Sequence, residues 1–175
     1  MFPYIVIFGE VCVLNQFNKF ISIIALLIIS FSTPSFAQKA PDFTLDGDKG
    51  KIKLSAYKNK VVYIDFWASW CKPCRKSFTF MNEMQDRYGK KGFKIIAINL
   101  DTERAAANSF LKKHPAKFTI AYDEKGKTPG LYKLKVMPTS YLIDRRGNLI
   151  NIHKGFKDGQ TDKLEKKIIQ ALNKK

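Results

Sequence analysis

Two cysteines three positions apart, Cys71 and Cys74, stand in the run Trp70-Cys71-Lys72-Pro73-Cys74. A C-x-x-C pair can exchange a disulfide with another molecule, contribute half of a metal site, or staple a short loop. Its surroundings decide between these. Upstream lies Val61–Trp67, rich in β-branched and aromatic residues, which reads as a buried strand. Downstream, over 73–88, Phe78, Met81 and Met84 or Tyr88 recur at helical spacing. A cysteine at such a strand-to-helix junction faces unpaired backbone N–H groups and the positive end of the helix dipole. With Lys72 beside it, the thiolate is favoured, and environments of this kind lower a cysteine pKa from about 8.5 into roughly 3.5–7.5. Cys71, near the helix N-cap, is the expected attacking thiol. Cys74, one turn on and more buried, is the expected resolving thiol. Pro73 suits a first helical turn, where its missing N–H would be unpaired anyway.

The other readings of the pair fare worse. A zinc site needs about four ligands. Beside the pair the chain offers Cys12 in its N-terminal segment and two distant histidines, His114 and His153, without paired spacing. No metal is expected. A staple across Cys71–Cys74 closes only a four-residue loop, which constrains the unfolded chain little. Ala68 stands three residues before Cys71, where a peroxide-reacting cysteine of the Thr-x-x-Cys type would need threonine.

The elements that must hold the pair alternate in character. Phe93–Leu100 reads as a second buried strand, Thr102–Lys113 as a helix stopped by Pro115, and Lys117–Tyr122 as a short strand. Thr139–Asp144 and Asn148–His153 flank Arg145-Arg146-Gly147, a hairpin signal. Gly159–Asn173 is a helix with Leu164, Ile168 and Leu172 on its apolar face. Pro41–Leu54 reads as a small N-terminal hairpin around Asp46-Gly47-Asp48-Lys49-Gly50. The β-α-β-α-β part requires parallel strands with right-handed crossovers, and the later hairpin adds antiparallel ones. The expected fold class is α/β: a mixed central sheet flanked by helices.

The run FWASWCKPC, preceded by VVYID and followed much later by Val136-Met137-Pro138-Thr139, resembles the thioredoxin superfamily. APDFTL at 40–45 and KLSAYKNK at 53–60 are most similar to its exported TlpA/ResA-type branch. The resemblance covers nearly all of residues 38–175. It implies the thioredoxin fold with an extra N-terminal β-hairpin, and a thiol:disulfide oxidoreductase whose only redox group is the Cys71–Cys74 disulfide, with no other cofactor. Asp65 falls where thioredoxins keep a buried carboxylate, whose raised pKa lets it shuttle a proton for Cys74. Pro138 matches the family's cis-proline facing the cysteines. Met137 would shape the substrate groove, its backbone open to an extended segment. Trp70, Lys72 and Pro73 complete the expected substrate surface, while Trp67 is structural. The sequence departs from the ResA pattern at Ser77, where an acidic residue is common, and near Thr79, where a proline is common. The resemblance favours a reductase; the reverse direction, an envelope disulfide oxidant, uses the same residues.

Targeting and charge complete the reading. Phe20–Phe31 is apolar except for two serines, follows Lys19 and leads to Ser35 and Ala37, small residues at −3 and −1 of a cleavage after Ala37. Residues 1–37 are the expected signal peptide, with an uncleaved inner-membrane anchor as the alternative, and 38–175 the thioredoxin-like domain. Glu10 and Cys12 are unusual for a signal's first part, which points to translation starting near Val13 or Leu14. The expected location is the periplasm or cell envelope. The chain carries a net charge of +16 over 175 residues, and the segment up to residue 37 contributes one base and one acid, leaving that excess unchanged. The lysines are scattered through turns and polar helix faces without interleaved aromatics, which reads as a solvated basic surface. Protein disulfides as substrates, a membrane electron donor, a monomeric state and no nucleic acid are the expectations. A basic binding module without redox role is the alternative.

Overall fold

The computed structural model describes residues 38–174 except Asp158, so the expected signal segment 1–37 lies outside the described residues. The sheet is organised around β3 (Val61–Trp67), which is buried at all its positions. It pairs in parallel with β4 (Phe93–Asn99) and antiparallel with β6 (Thr139–Ile143). β4 pairs in parallel with β5 (Thr119–Tyr122). β7 (Leu149–Lys154) closes one edge against β6. At the other edge the hairpin β1 (Thr44–Gly47) and β2 (Gly50–Lys53) joins through β1 to β5, giving seven strands in the order β2-β1-β5-β4-β3-β6-β7.

Side-chain alternation along β3 divides the core. Val61, Tyr63 and Trp67 face a cluster that includes Cys71, Cys74, Phe78, Met81, Leu164 and Ile168. Val62, Ile64 and Phe66 face the opposite cluster, with Phe43, Leu45, Tyr132 and Tyr141. Strand neighbours point to opposite faces, so a one-residue slip would exchange the two cores.

α1 (Cys74–Tyr88) buries Cys74, Phe78, Met81 and Met84, one stripe at helical spacing. A tight turn over 89–91 follows, and Gly92 closes it with φ 90°, a left-handed backbone that a side chain resists. α2 (Arg104–Lys113) buries Ala107 and Phe110. α4 (Thr161–Asn173) buries Leu164, Ile168 and Ala171; Leu172 is only partly buried. Two short pieces carry no sequence periodicity: a 3-10 turn at Leu54–Tyr57 and α3 (Thr128–Leu131). The expected mixed α/β sheet with its N-terminal hairpin is the observed one. α2 and β5 begin two residues later than their sequence pattern suggests.

Candidate active site

Cys71 and Cys74 form a disulfide with an S–S distance of 2.03 Å and a Cα–Cα distance of 5.4 Å. The pair sits beyond the C-terminal end of β3. The chain leaves Trp67, turns through Ala68-Ser69-Trp70, and enters α1 through a leading turn. In that turn Cys71 C=O accepts from Cys74 N–H at 3.2 Å, Lys72 C=O from Arg75 N–H at 3.3 Å, and Pro73 C=O from Lys76 N–H at 3.2 Å. The regular helix starts at Cys74 with Pro73 in the cap position. Cys71 therefore precedes the cap by two residues instead of occupying it. It remains at the positive end of the helix, because the leading turn extends the same N-terminal polarity.

Burial is unequal in the expected sense. Cys74 is wholly buried, while Cys71 keeps 4% of its surface exposed. Beside that edge stand exposed Lys72 and Pro73 and Trp70, 67% exposed. Met137 packs partly buried against the cluster that holds both cysteines, and the Met137–Pro138 bond is cis. Pro138 C=O accepts from Gly155 N–H at 2.7 Å, and Val136 C=O from Thr139 Oγ1 at 2.7 Å. Among the described residues, the N–H and C=O of Met137 make no hydrogen bond within the protein. Trp70, Lys72 and Pro73 thus adjoin the disulfide along the chain, while Met137 packs against the cluster that holds it and Pro138 follows Met137 through the cis bond. Trp67, by contrast, is wholly buried, its ring 4.9 Å from those of Phe78 and Phe110.

Asp65 lies on the same face of β3 as Tyr63 and Trp67, the face that packs against the cysteines. It is 1% exposed, and its Oδ2 has no hydrogen-bond partner in the protein. Burial pushes its carboxyl well above the usual carboxylate range. Tyr63 is pushed up by burial and by the neighbouring Asp65 charge, with the nearby Ser140 side chain opposing.

Two contributors escaped the sequence reading. Asp101 accepts from Ser69 N–H at 2.9 Å, Ser69 Oγ at 2.9 Å and Asn99 Nδ2 at 2.8 Å. One buried carboxylate thereby pins the turn that delivers Cys71. Ser77, noted only as a departure from an acidic pattern, is buried and donates from Oγ to the Cys74 carbonyl at 2.9 Å. Asp101 carries no spacing signal because it acts through contacts that the tertiary fold creates; Ser77 acts within one turn of α1, a contact that any helical serine can make. Among the described residues no cluster of three or more His, Cys, Asp or Glu side chains has metal-binding geometry.

Three comparisons place this geometry among known proteins. The Redoxin family model matches residues 37–168. A thiol-disulfide oxidoreductase ResA from Bacillus cereus is 40% identical over 114 residues, 65% of this chain and 66% of that one; the chain thus spans about two thirds of that relative's length. A crystal structure from Chlorobium tepidum, assigned as thiol:disulfide interchange protein DsbE, superposes with a TM-score of 0.77 at 52% identity, covering 78% of this chain and 97% of that one. The exposed lipoprotein thioredoxin Etrx1 of Streptococcus pneumoniae superposes with a TM-score of 0.64 at 28% identity, covering 74% and 99%.

Proposed function

The chain belongs to the Redoxin family and is a thiol:disulfide oxidoreductase of thioredoxin fold, and on that premise we propose that it reduces protein disulfides outside the cytoplasm. The observation that carries this reading is the Cys71–Cys74 disulfide at the head of α1, closed to solvent except at one edge of Cys71. In the reduced protein the Cys71 thiolate attacks one sulfur of a substrate disulfide. A mixed disulfide forms and the first substrate thiolate leaves. Asp65, as carboxylate, then takes the proton from Cys74. The Cys74 thiolate attacks the Cys71 sulfur, the internal disulfide closes, and the second substrate thiolate departs. The substrate leaves with two electrons gained and the enzyme is oxidised by two.

The unpaired backbone of Met137 and the exposed ring of Trp70 support docking of an extended substrate segment alongside the cis Met137–Pro138 step. Reduction must be restored from outside this domain. A membrane dithiol carrier fits that need in a compartment without the cytosolic reducing pool. The export signal read in residues 1–37 supports the location, in the periplasm or cell envelope.

The experiment is catalysed reduction of a model protein disulfide by a small dithiol, for the wild type and Cys71→Ser. Wild-type turnover that Cys71→Ser abolishes supports the reading; equal rates in both overturn it. Direction is read from the reduction potential of the pair. A value near about −270 mV supports a reductase, and one near about −120 mV an oxidant.

A further inference from the structure

A cavity of about 450 Å³ opens at the end of the sheet remote from the disulfide. Its apolar lining is Ala40, Leu54, Tyr57, Val62 and Ile143. Val62 on β3 stands opposite Ile143 on β6. The chain runs on along β3 from Val62 to Trp67 before it turns toward Cys71, and those five steps cover about 17 Å. The cavity therefore lies outside the disulfide site, and its volume falls within the range of small-molecule sites, roughly 300–1000 Å³.

Its walls are tied together without a ligand. Asp42 Oδ1 accepts from Ser55 N–H at 2.9 Å, which joins the segment entering β1 to the 3-10 turn. Asn59 N–H donates to the Arg145 carbonyl at 3.1 Å, and Arg145 Nη1 donates back to the Asn59 carbonyl at 2.9 Å. Ala40 N–H donates to the Gly147 carbonyl at 3.0 Å, and Lys39 Nζ to the Arg146 carbonyl at 2.6 Å. A site braced in this way pays little ordering entropy on binding.

The charge around the cavity is positive and poorly compensated. Lys39, Lys58, Lys60, Arg145 and Arg146 line it, against Asp42 and Asp144. Asp144 is taken up by Arg146 N–H, Asn148 N–H and Asn148 Nδ2, and its ion pair with Arg146 Nε is long at 3.8 Å. Asp42 Oδ1 is taken up by the Phe43 and Ser55 N–H groups. Arg145 donates to the carbonyls of Asn59, Lys91 and Leu172, so its charge faces no carboxylate in these bonds. The Lys58 and Lys60 ammonium groups have no hydrogen-bond or ion-pair partner among the described residues. Cations above an apolar lining call for an anion that carries an apolar part. Inorganic phosphate alone would leave that lining unused.

The path of the chain names the source of such an anion. Gln38 C=O accepts from Leu149 N–H at 2.8 Å, and the next residues, Lys39 and Ala40, line the cavity. The apolar run Phe20–Phe31, read as a signal or as an anchor, is expected to enter the bilayer. Seven residues lead from Phe31 to Gln38, and they reach at most about 25 Å. While the two are joined, this end of the domain is held close to the membrane surface, where basic pockets take anionic headgroups. We propose that the cavity binds the glycerophosphate headgroup of an anionic phospholipid, with the phosphate among Lys58, Lys60, Arg145 and Arg146 and the glycerol ester end on Leu54, Val62 and Ile143. The inference uses the envelope location proposed above and is independent of the dithiol chemistry.

The test is an NMR titration of the full-length, isotope-labelled protein with dihexanoyl phosphatidylglycerol below its micelle concentration. Dihexanoyl phosphatidylcholine and inorganic phosphate are titrated in parallel, and backbone amide shifts are followed residue by residue. The anionic lipid is expected to give saturable shifts in 39–42, 54–60 and 143–147, with roughly 10-fold tighter binding than either comparison probe. The double variant Lys58→Glu/Lys60→Glu, both side chains being exposed, is expected to weaken binding roughly 10-fold or more, while it reduces an uncharged model disulfide at the wild-type rate. Equal binding of phosphatidylcholine, equal binding of inorganic phosphate, shifts confined to other segments, or unchanged affinity in the double variant each overturn the proposal. If that variant does not fold, Lys58→Gln/Lys60→Gln carries the same comparison. A protein that binds the lipid but exchanges no disulfide refutes the dithiol reading alone; one that exchanges disulfides but leaves these segments unshifted refutes the lipid site alone.

Discussion

Asp65 shows at the scale of one residue how a stability cost can serve the chemistry. Its carboxyl is buried, with one oxygen unpaired, and its pKa is raised by that burial. In the unfolded chain it titrates near 3.8. Between that value and the raised folded one, the folded state binds more protons than the unfolded state, so stability falls as pH rises through this window. Asp65→Asn removes the ionisation. It is expected to stabilise the protein at about pH 8, by about 1.4 kcal/mol for each unit by which burial raises the carboxyl pKa, because that ionisation cost is removed, and to leave stability nearly unchanged at acid pH. Denaturant titrations at both pH values check this. The same variant is expected to slow closure of the internal disulfide 10-fold or more. An Asp65→Asn protein less stable than wild type at the higher pH would refute the account. Asp65 was legible in the sequence because its distance from Cys71 follows the chain itself. Its cross-strand neighbour Ser140 was not, because only strand register brings the two opposite each other.

Among the elements, the β3–α1 junction is the working part. β3 and α1 were legible because their periodicities differ and the cysteines mark the boundary between them. The pairing of β1 with β5 was not, since a four-residue strand gives no local sign of its distant neighbour. The same holds for Asp101, 32 residues from the serine it binds. Removing its carboxylate in Asp101→Ala leaves the Ser69 N–H and Oγ and the Asn99 amide without their acceptor. A loss of about 2–3 kcal/mol in unfolding free energy is expected, together with slower exchange, because the turn that presents Cys71 loosens. Met81→Ala provides the contrast. Met81 is wholly buried in α1 among the cysteine-side core residues, and truncation there should cost about 2–5 kcal/mol. Its per-molecule exchange rate should stay close to wild type while the variant is folded. Comparing denaturation midpoints with rates normalised to folded protein separates the two. Equal rate losses per kcal/mol in both variants would show that Asp101 matters only through global stability.

For the whole molecule, the +16 charge acts on encounter and not on the sulfur chemistry. The segments that border the disulfide carry Lys72, Arg75, Lys133 and Lys135, all exposed, and Trp70 and Val136 present apolar surface among them. Residues 70–76 and 131–137 contain no acidic side chain. A substrate approaching Cys71 therefore meets a positive field, and fields of this kind change association rates by about 10- to 1000-fold at low salt. The Debye length falls from about 30 Å at 0.01 M ionic strength to about 10 Å at 0.1 M, so added salt confines the steering to close contacts. The expected outcome is measured with disulfide peptides that differ only in flanking Glu, Gln or Lys residues. For the acidic peptide, kcat/KM should fall about 10-fold as ionic strength rises across that range. It should barely move for the neutral peptide and should rise for the basic one. The single-turnover closure rate, which follows encounter and takes place inside the protein, should be independent of salt for all three. Charge reversal at Lys72 and Lys135 should flatten the acidic peptide's salt slope while leaving the neutral peptide's rate in place. A slope that survives this reversal would assign the steering to the basic surface as a whole instead of to the rim of the disulfide.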